Sequence, residues 1–241
     1  MNEIVLVHAA WHGAWSWERV RPLLEGAGRV VLTPTLAGSG ERAAELSPAV
    51  TLEQHIDDVE AEIVSGGRRD VILVGHSYGG MVISGVAERA PDRLAALVYV
   101  DAFYPSDGES ALDQLPAAFQ GIIRQIAEEA GDGWRLPPND DFLDLYGVND
   151  PDLRSWIRPR LTDWSLNCMT APLHAPSRRA AAISRSYLLA DAEGYPLRAA
   201  FGPISEKAEA DGCRLHRFNT GHELMLEAPQ QLADILLGTV V

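Results

Sequence analysis

Basic residues are scarce in this chain of 241 residues: Lys and Arg number 20 against 34 Asp and Glu, for a formal net charge of -14. With no basic run either, we expect no nucleic acid and no anionic membrane as partner, because both need Lys and Arg to neutralise phosphates. Cysteine is scarcer still. Cys168 and Cys213 lie far apart at no metal-ligand spacing, and a single bridge would be an unusual economy in a secreted protein, so both read as reduced thiols. Long hydrophobic runs are missing too: "MNE" leads into "IVLVHAA" without a basic n-region, and that run is too short for a signal peptide or membrane helix. A cytoplasmic location is the expectation. The oligomeric state stays open, a homodimer included.

What the chain does have is apolar residues, 46% of the total, enough to bury a sizeable core in one large domain or a domain with an insertion. Short β-branched runs recur at 4–7, 30–32, 71–74, 94–100, 186–190 and 214–218, separated by segments long enough for crossover helices. Strands alternating with helices predict an α/β protein with a parallel sheet. In "TLEQHIDDVEAEIV", Thr51 and Gln54 suit a capping box, while Leu52, Ile56, Val59 and Ile63 line one helical face that should cover the sheet. His55, with no metal-like neighbour, reads as a surface or helix-edge residue.

Between the fourth and fifth strands the alternation stops, and Pro, Trp, Leu and acidic residues take over. We read residues 105–183 as a small helical cap above the C-terminal edge of the strands, with 1–104 and 184–241 as the core. Pro116 suits the first turn of a helix whose apolar stripe is Phe119, Ile122, Ile123 and Ile126, ended by "GDGW". A shorter helix is predicted near 151–158, with Trp156 facing inward.

The stretch "VILVGHSYGG" carries the chemistry. A nucleophile at the tip of a strand-to-helix turn needs strained backbone and neighbours without bulky side chains, which the Gly75-x-Ser77-x-Gly79 spacing supplies. A serine hydroxyl is a weak nucleophile at neutral pH and needs a base within reach. His222 in "FNTGHELM", just beyond the last strand, is the candidate base, and the amides of Tyr78 and Ala10 are the candidate oxyanion donors. His8 and His12 flank that second loop without metal spacing and read as structural. His76 is expected on the packed side of the turn; His174 and His216 give no signal.

The segments "LVHAAWHGAWSWERVRPLLEGAG", "VILVGHSYGGM", "LVYVDAFYPSDG" and "TGHELM" resemble the α/β-hydrolase branch that holds plant methylesterases, hydroxynitrile lyases and bacterial esterases. The resemblance covers roughly residues 3–110 and 185–236. It implies a six-stranded parallel sheet flanked by helices, a small cap, no cofactor, and the roles just given to Ser77, His222, Ala10 and Tyr78. Ala9 departs from the glycine usual after His8, a mild change. Hydroxynitrile lyases of this branch carry a lysine after the histidine to receive cyanide. Glu223 stands there, and its charge would oppose the leaving anion. Fold relatives that use an Asp nucleophile are excluded by Ser77.

The expectation is therefore a carboxylesterase-type serine hydrolase acting through an acyl-enzyme on a small, largely apolar ester or lactone. A thioesterase or acyltransferase with the same triad is the alternative; a lyase or a non-catalytic ligand-binding protein stands behind both. Trp11, Tyr78, Phe119, Trp134, Trp156 and Trp164 suggest an apolar pocket for a small aromatic or alicyclic ester or lactone, or else cap core. The triad acid has three candidates. The resemblance to plant relatives points to Glu193 after the fifth strand. Asp191 lies in the same turn-like "DAEG". Asp101, our preferred candidate, ends the apolar run "ALVYV" on the strand expected beside that of Ser77, where a half-buried carboxylate needs a partner such as an imidazole.

Overall fold

The computed structural model describes residues 3–175 and 179–239. Eight strands are present among them: β1 (Ile4–Val7), β2 (Val31–Leu32), β3 (Val71–His76), β4 (Leu94–Val100), β5 (Arg135–Leu136), β6 (Trp164–Ser165), β7 (Ser184–Ala190) and β8 (Arg214–Phe218). Six form one parallel sheet in the order β2-β1-β3-β4-β7-β8, and β5 and β6 make a separate antiparallel pair. β1 and β3 are buried along their whole length, as expected of inner strands covered on both faces. The second strand is shorter than predicted, with Val30 left 56% exposed, and β7 begins two residues earlier, at Ser184.

The helices are α1 (Arg21–Gly26), α2 (Leu52–Val64), α3 (Gly79–Arg89), α4 (Ala117–Ala130), α5 (Asp141–Leu145), α6 (Pro151–Ile157), α7 (Leu166–Thr170), α8 (Arg198–Ala210), α9 (Leu224–Glu227) and α10 (Pro229–Gly238). α2 follows its sequence pattern: Thr51 Oγ1 accepts from the Gln54 N–H at 3.4 Å, and Leu52, Ile56, Val59 and Ile63 are all buried. Each of those side chains contributes about 1.5–3 kcal/mol relative to an exposed one. His55 contradicts its surface assignment. It is fully buried, with Nε2–H donating to the Ala37 carbonyl (2.9 Å) and Nδ1 accepting from the Tyr78 hydroxyl (3.0 Å). With both ring nitrogens satisfied, a neutral imidazole is tolerated in the core.

Between β4 and β7, two further expectations are corrected. Pro116 lies at the N-cap, one residue outside α4, with an extended ψ of 145°. The α4 stripe is only partly buried: Phe119, Ile123 and Ile126 pack against the edge of the core, Ala127 is the helix's one fully buried residue, and Ile122 stays 43% exposed. Gly131 ends α4 as expected. In α6 the inward positions are Leu153 and Ile157. Trp156 is half-buried at the rim, between Trp15 and the guanidinium of Arg160, which lies 4.2 Å from its ring centre. No described helix is long and apolar enough to cross a membrane.

Candidate active site

The C-terminal ends of β3 and β4 are adjacent, paired through His76 and Val100. The next residue on each, Ser77 and Asp101, turns into the left-handed region with φ of 53° and 41°. Such backbone costs on the order of 1–3 kcal/mol in a non-glycine residue and persists only where its surroundings enforce it. Here the Ser77 N–H donates to the Val100 carbonyl (3.1 Å), the Asp101 N–H to the Leu188 carbonyl (2.7 Å), and the Phe103 N–H to the Ser77 carbonyl (3.1 Å). The glycine spacing has a steric cause. A Cβ on Gly75 would fall 2.5 Å from the Gly79 carbonyl oxygen, and one on Gly79 would fall 2.8 Å from that of Val7.

Asp101 is fully buried. Its Oδ2 accepts from His222 Nδ1–H at 2.7 Å and from the Tyr195 hydroxyl at 2.6 Å, and its Oδ1 accepts from the Ala190 N–H at 3.1 Å. The other two acid candidates do not meet the imidazole. Glu193 is exposed. Asp191 is committed to Arg198 (2.5 Å) and Arg217 (2.8 Å), which hold its carboxyl below the usual carboxylate range. Tyr195, which the sequence reading passed over, lies 3.0 Å from His222 Nδ1 as well. Its phenol is pushed well above the ordinary range by burial and by the Asp101 charge, so it stays a neutral donor.

Ser77, His222 and Ala10 line one cavity. His222 is held there by its N–H to the Tyr146 carbonyl (2.8 Å) and by the stacked ring of Phe201, 5.1 Å away. The α4 stripe of Phe119, Ile122, Ile123 and Ile126 forms one wall, which explains why these side chains are only partly buried. Of the aromatics named from sequence, Trp11 and Phe119 reach the cavity; Tyr78 and Trp164 pack on His55 instead, and Trp134 and Trp156 lie outside the lining. Sequence reasoning missed Phe103, Phe142, Leu145, Tyr146 and Phe201, which come from three different segments with no shared pattern. The walls carry no Asp, Glu, Lys or Arg.

The neighbouring histidines fall into two kinds. His8 Nδ1–H donates to the Ala9 carbonyl (2.8 Å) and its Nε2 accepts from the Leu36 N–H (3.0 Å); burial lowers its pKa to about 3. His76 is buried, kept well below the ordinary range by burial and by His222, and donates from Nε2 to the His222 carbonyl (3.0 Å). His12 is the exception, paired with Glu223 at 3.0 Å. Among the described residues, no group of three or more His, Cys, Asp or Glu could hold a metal ion.

This chain matches the alpha/beta hydrolase family over residues 4–235. It is 37% identical over 245 residues to the carbendazim hydrolyzing esterase of Nocardioides sp. (strain SG-4G), covering 98% of each chain. It is 27% identical to methylesterase 7 of Arabidopsis thaliana, over 98% of this chain and 95% of that one. Among solved structures, an extracellular alpha/beta-hydrolase from a Paenibacillus species superposes with a TM-score of 0.87 at 26% identity, over 99% of both chains.

Proposed function

The chain belongs to the alpha/beta hydrolase family and is an enzyme of the carboxylesterase type; from that premise we propose that Ser77, His222 and Asp101 form a triad hydrolysing a small, uncharged, largely apolar ester or lactone. The observation that carries this reading is the hydrogen bond from His222 to the buried Asp101, on an imidazole that shares its cavity with the strained Ser77. Ser77 Oγ attacks the carbonyl carbon while His222 takes its proton, and Asp101 stabilises the imidazolium that forms. The amides of Ala10 and Tyr78 receive the oxyanion, aided by the N-terminal end of α3, whose helix dipole favours negative charge. Collapse expels the alcohol with the proton from His222. Water then attacks the acyl-enzyme, with His222 again as base, and the acid leaves.

Residues 105–183 serve as the cap in this proposal, with the α4 stripe against the apolar part of the substrate. The charge-free lining supports an uncharged substrate, because a buried carboxylate or ammonium without a partner is costly. Position 223 carries no lysine to receive a departing cyanide, which supports hydrolysis over cyanide release; the repulsion expected from Glu223 does not act in the cavity, because its side chain is buried against His12 and outside the lining. A cytoplasmic location, also part of the proposal, is consistent with the free thiols of Cys168 and Cys213.

The test pairs a label with a panel. A serine-directed phosphonate is expected to add its mass to the wild type and not to Ser77→Ala, and that variant should lose ~10⁴-fold or more of p-nitrophenyl acetate hydrolysis. Esters, lactones, thioesters and carbendazim, the last because of the relative named for it, then separate the substrate classes. An unlabelled wild type, or a Ser77→Ala protein keeping a tenth of the activity, would overturn the proposal.

A further inference from the structure

His12 hydrogen-bonds through both ring nitrogens to oxygens, one of a carbonyl and one of a carboxyl group. Nδ1 lies 2.7 Å from the Ala10 carbonyl oxygen and Nε2 lies 3.0 Å from Glu223 Oε1. A neutral imidazole donates from one nitrogen only, so with Glu223 ionised, as its lowered pKa has it, filling both contacts takes an imidazolium. Both side chains are fully buried. A buried ion pair is an expensive way to fill a core, since desolvation offsets most of the attraction. Its location suggests what it does in return.

Residues 9–12 form a turn closed by the His12 N–H on the Ala9 carbonyl (3.3 Å), and its third residue, Trp11, has φ of 64°. A positive φ at that position, with Ala10 outside the positive-φ residues, fits a type II turn, which prefers glycine there; a tryptophan is strained. Turning the central peptide over would give the commoner type I turn and relieve Trp11. The oxygen that would move is the Ala10 carbonyl, the one His12 holds. The other end of the clamp, Glu223, directly follows His222 in the chain. His12 therefore ties the turn carrying Ala10 and Trp11, both of which line the cavity, to the loop carrying the base.

We propose that His12, locked as an imidazolium against Glu223, is a positioning residue that holds this strained turn beside Ser77, and that turnover requires the pair to stay charged. The inference rests on the serine-hydrolase reading above. The groups facing His12 are Glu223, the rings of Trp15 (4.9 Å), His76 (6.0 Å) and Tyr146 (6.1 Å), and more remotely His8 and His222. Glu227, near Glu223, has its pKa raised by burial. His8 and His76 are neutral, so the countercharge is that of Glu223. Burial alone would lower the His12 pKa; the Glu223 charge and the two hydrogen bonds outweigh it and raise it, while the His12 charge helps bring Glu223 down to about 2.

Raising the pH until His12 loses a proton breaks one end of the clamp, so kcat should fall on the alkaline side. Glu223→Gln keeps an acceptor for Nε2 but removes the charge, leaving burial uncompensated. Measured with p-nitrophenyl acetate from pH 5.5 to 10, that variant should show its alkaline fall at least about one pH unit lower. Its kcat at pH 8 should drop ~10–100-fold with KM within about threefold, short of the 10²–10³ reported for deleting an oxyanion donor outright. His12→Gln should be similarly slow without the alkaline fall. Independently of activity and of variant folding, ¹⁵N-edited NMR of the wild type at pH 7.5 should find protons on both His12 ring nitrogens. A neutral His12 tautomer, or folded variants within twofold of wild-type kcat and with an unshifted alkaline arm, would overturn the inference. Failure of the underlying hydrolase reading shows separately, as a wild type that the phosphonate does not label.

Discussion

Asp101→Asn probes the proposed triad with an isosteric change whose consequence is readable from the hydrogen bonds. The carboxylate takes three donors, two at Oδ2 and one at Oδ1. An asparagine must put its NH₂ group at one of these places. At the Oδ1 site it would face the Ala190 N–H, a backbone donor that cannot turn away, at a cost of about 1–3 kcal/mol for the buried unsatisfied pair. At the Oδ2 site it faces the Tyr195 hydroxyl, which rotates to accept, and His222, which can accept only by moving its proton from Nδ1 to Nε2. The second arrangement is the lower in energy. It leaves His222 with a proton on the nitrogen that must act as base, and the imidazolium loses its buried countercharge. The loss should reach ~10⁴-fold in kcat, about 5 kcal/mol of transition-state stabilisation, with KM little changed. Steady-state hydrolysis of one ester is to be compared for Asp101→Asn, Glu193→Gln and Asp191→Asn, with circular dichroism confirming the fold of each. Glu193→Gln should stay within about twofold of wild type, as expected of an exposed side chain. Asp191→Asn, which loosens two partly exposed ion pairs, should cost at most about 1 kcal/mol of stability. A folded Asp101→Asn enzyme within tenfold of wild type, beside a collapsed Glu193→Gln, would refute this reasoning and move the acid to Glu193.

Tyr195→Phe removes one of the two donors on Asp101 Oδ2 and leaves the His222 contact; we expect kcat to fall ~3–30-fold, since a hydrogen bond to a charged group is worth about 1.5–3 kcal/mol at most, and unchanged kcat would show that Tyr195 only fills space. Three buried histidines should make the protein acid-labile: the pKa of His8 is lowered to about 3, that of His55 to about 4 and that of His76 well below normal, chiefly by burial. The unfolded chain binds protons at these sites below about pH 6.5 while the native state does not, so stability drops as pH falls from about 6.5 toward 4, by up to ~1.4 kcal/mol per pH unit per group. The His12–Glu223 pair has the opposite sign at His12, whose contribution is full below about pH 6.5 and is lost as pH rises through its elevated pKa; Glu223 gives its share above about pH 4.5 and loses it toward about 2. A melting temperature constant between pH 7 and 5 would contradict this balance. Gly75→Ala should abolish activity and destabilise by several kcal/mol in urea unfolding, because its Cβ meets the Gly79 backbone at 2.5 Å; a wild-type unfolding midpoint would show that the turn is less tightly packed than its geometry implies.

The parallel sheet, helix α2 and the serine-bearing turn were legible in the sequence because each rests on local rules: β-branched runs, a 3.6-residue apolar period, and glycines two residues either side of Ser77. His222 was legible by chain order alone. Asp101 over Glu193 and Asp191 was a preference in the sequence, and what distinguishes the three is tertiary. The Oδ1 of Asp101 caps the end of β7 at Ala190, Asp191 is drawn off by Arg198 and Arg217, and Glu193 faces solvent. His55 looked like a helix-edge residue because its partners, the Ala37 carbonyl and the Tyr78 hydroxyl, lie 18 and 23 residues away. The α4 stripe shows the same limit from the other side. Periodicity says that a helix has an apolar face, and only packing says whether that face meets a core or a cavity; here the elements around Ser77 leave space in front of Phe119 and Ile123. His12 and Glu223, 211 residues apart, carry no sequence signal for each other. A buried charge is stable only beside its counterion, and the fold alone brings the two together.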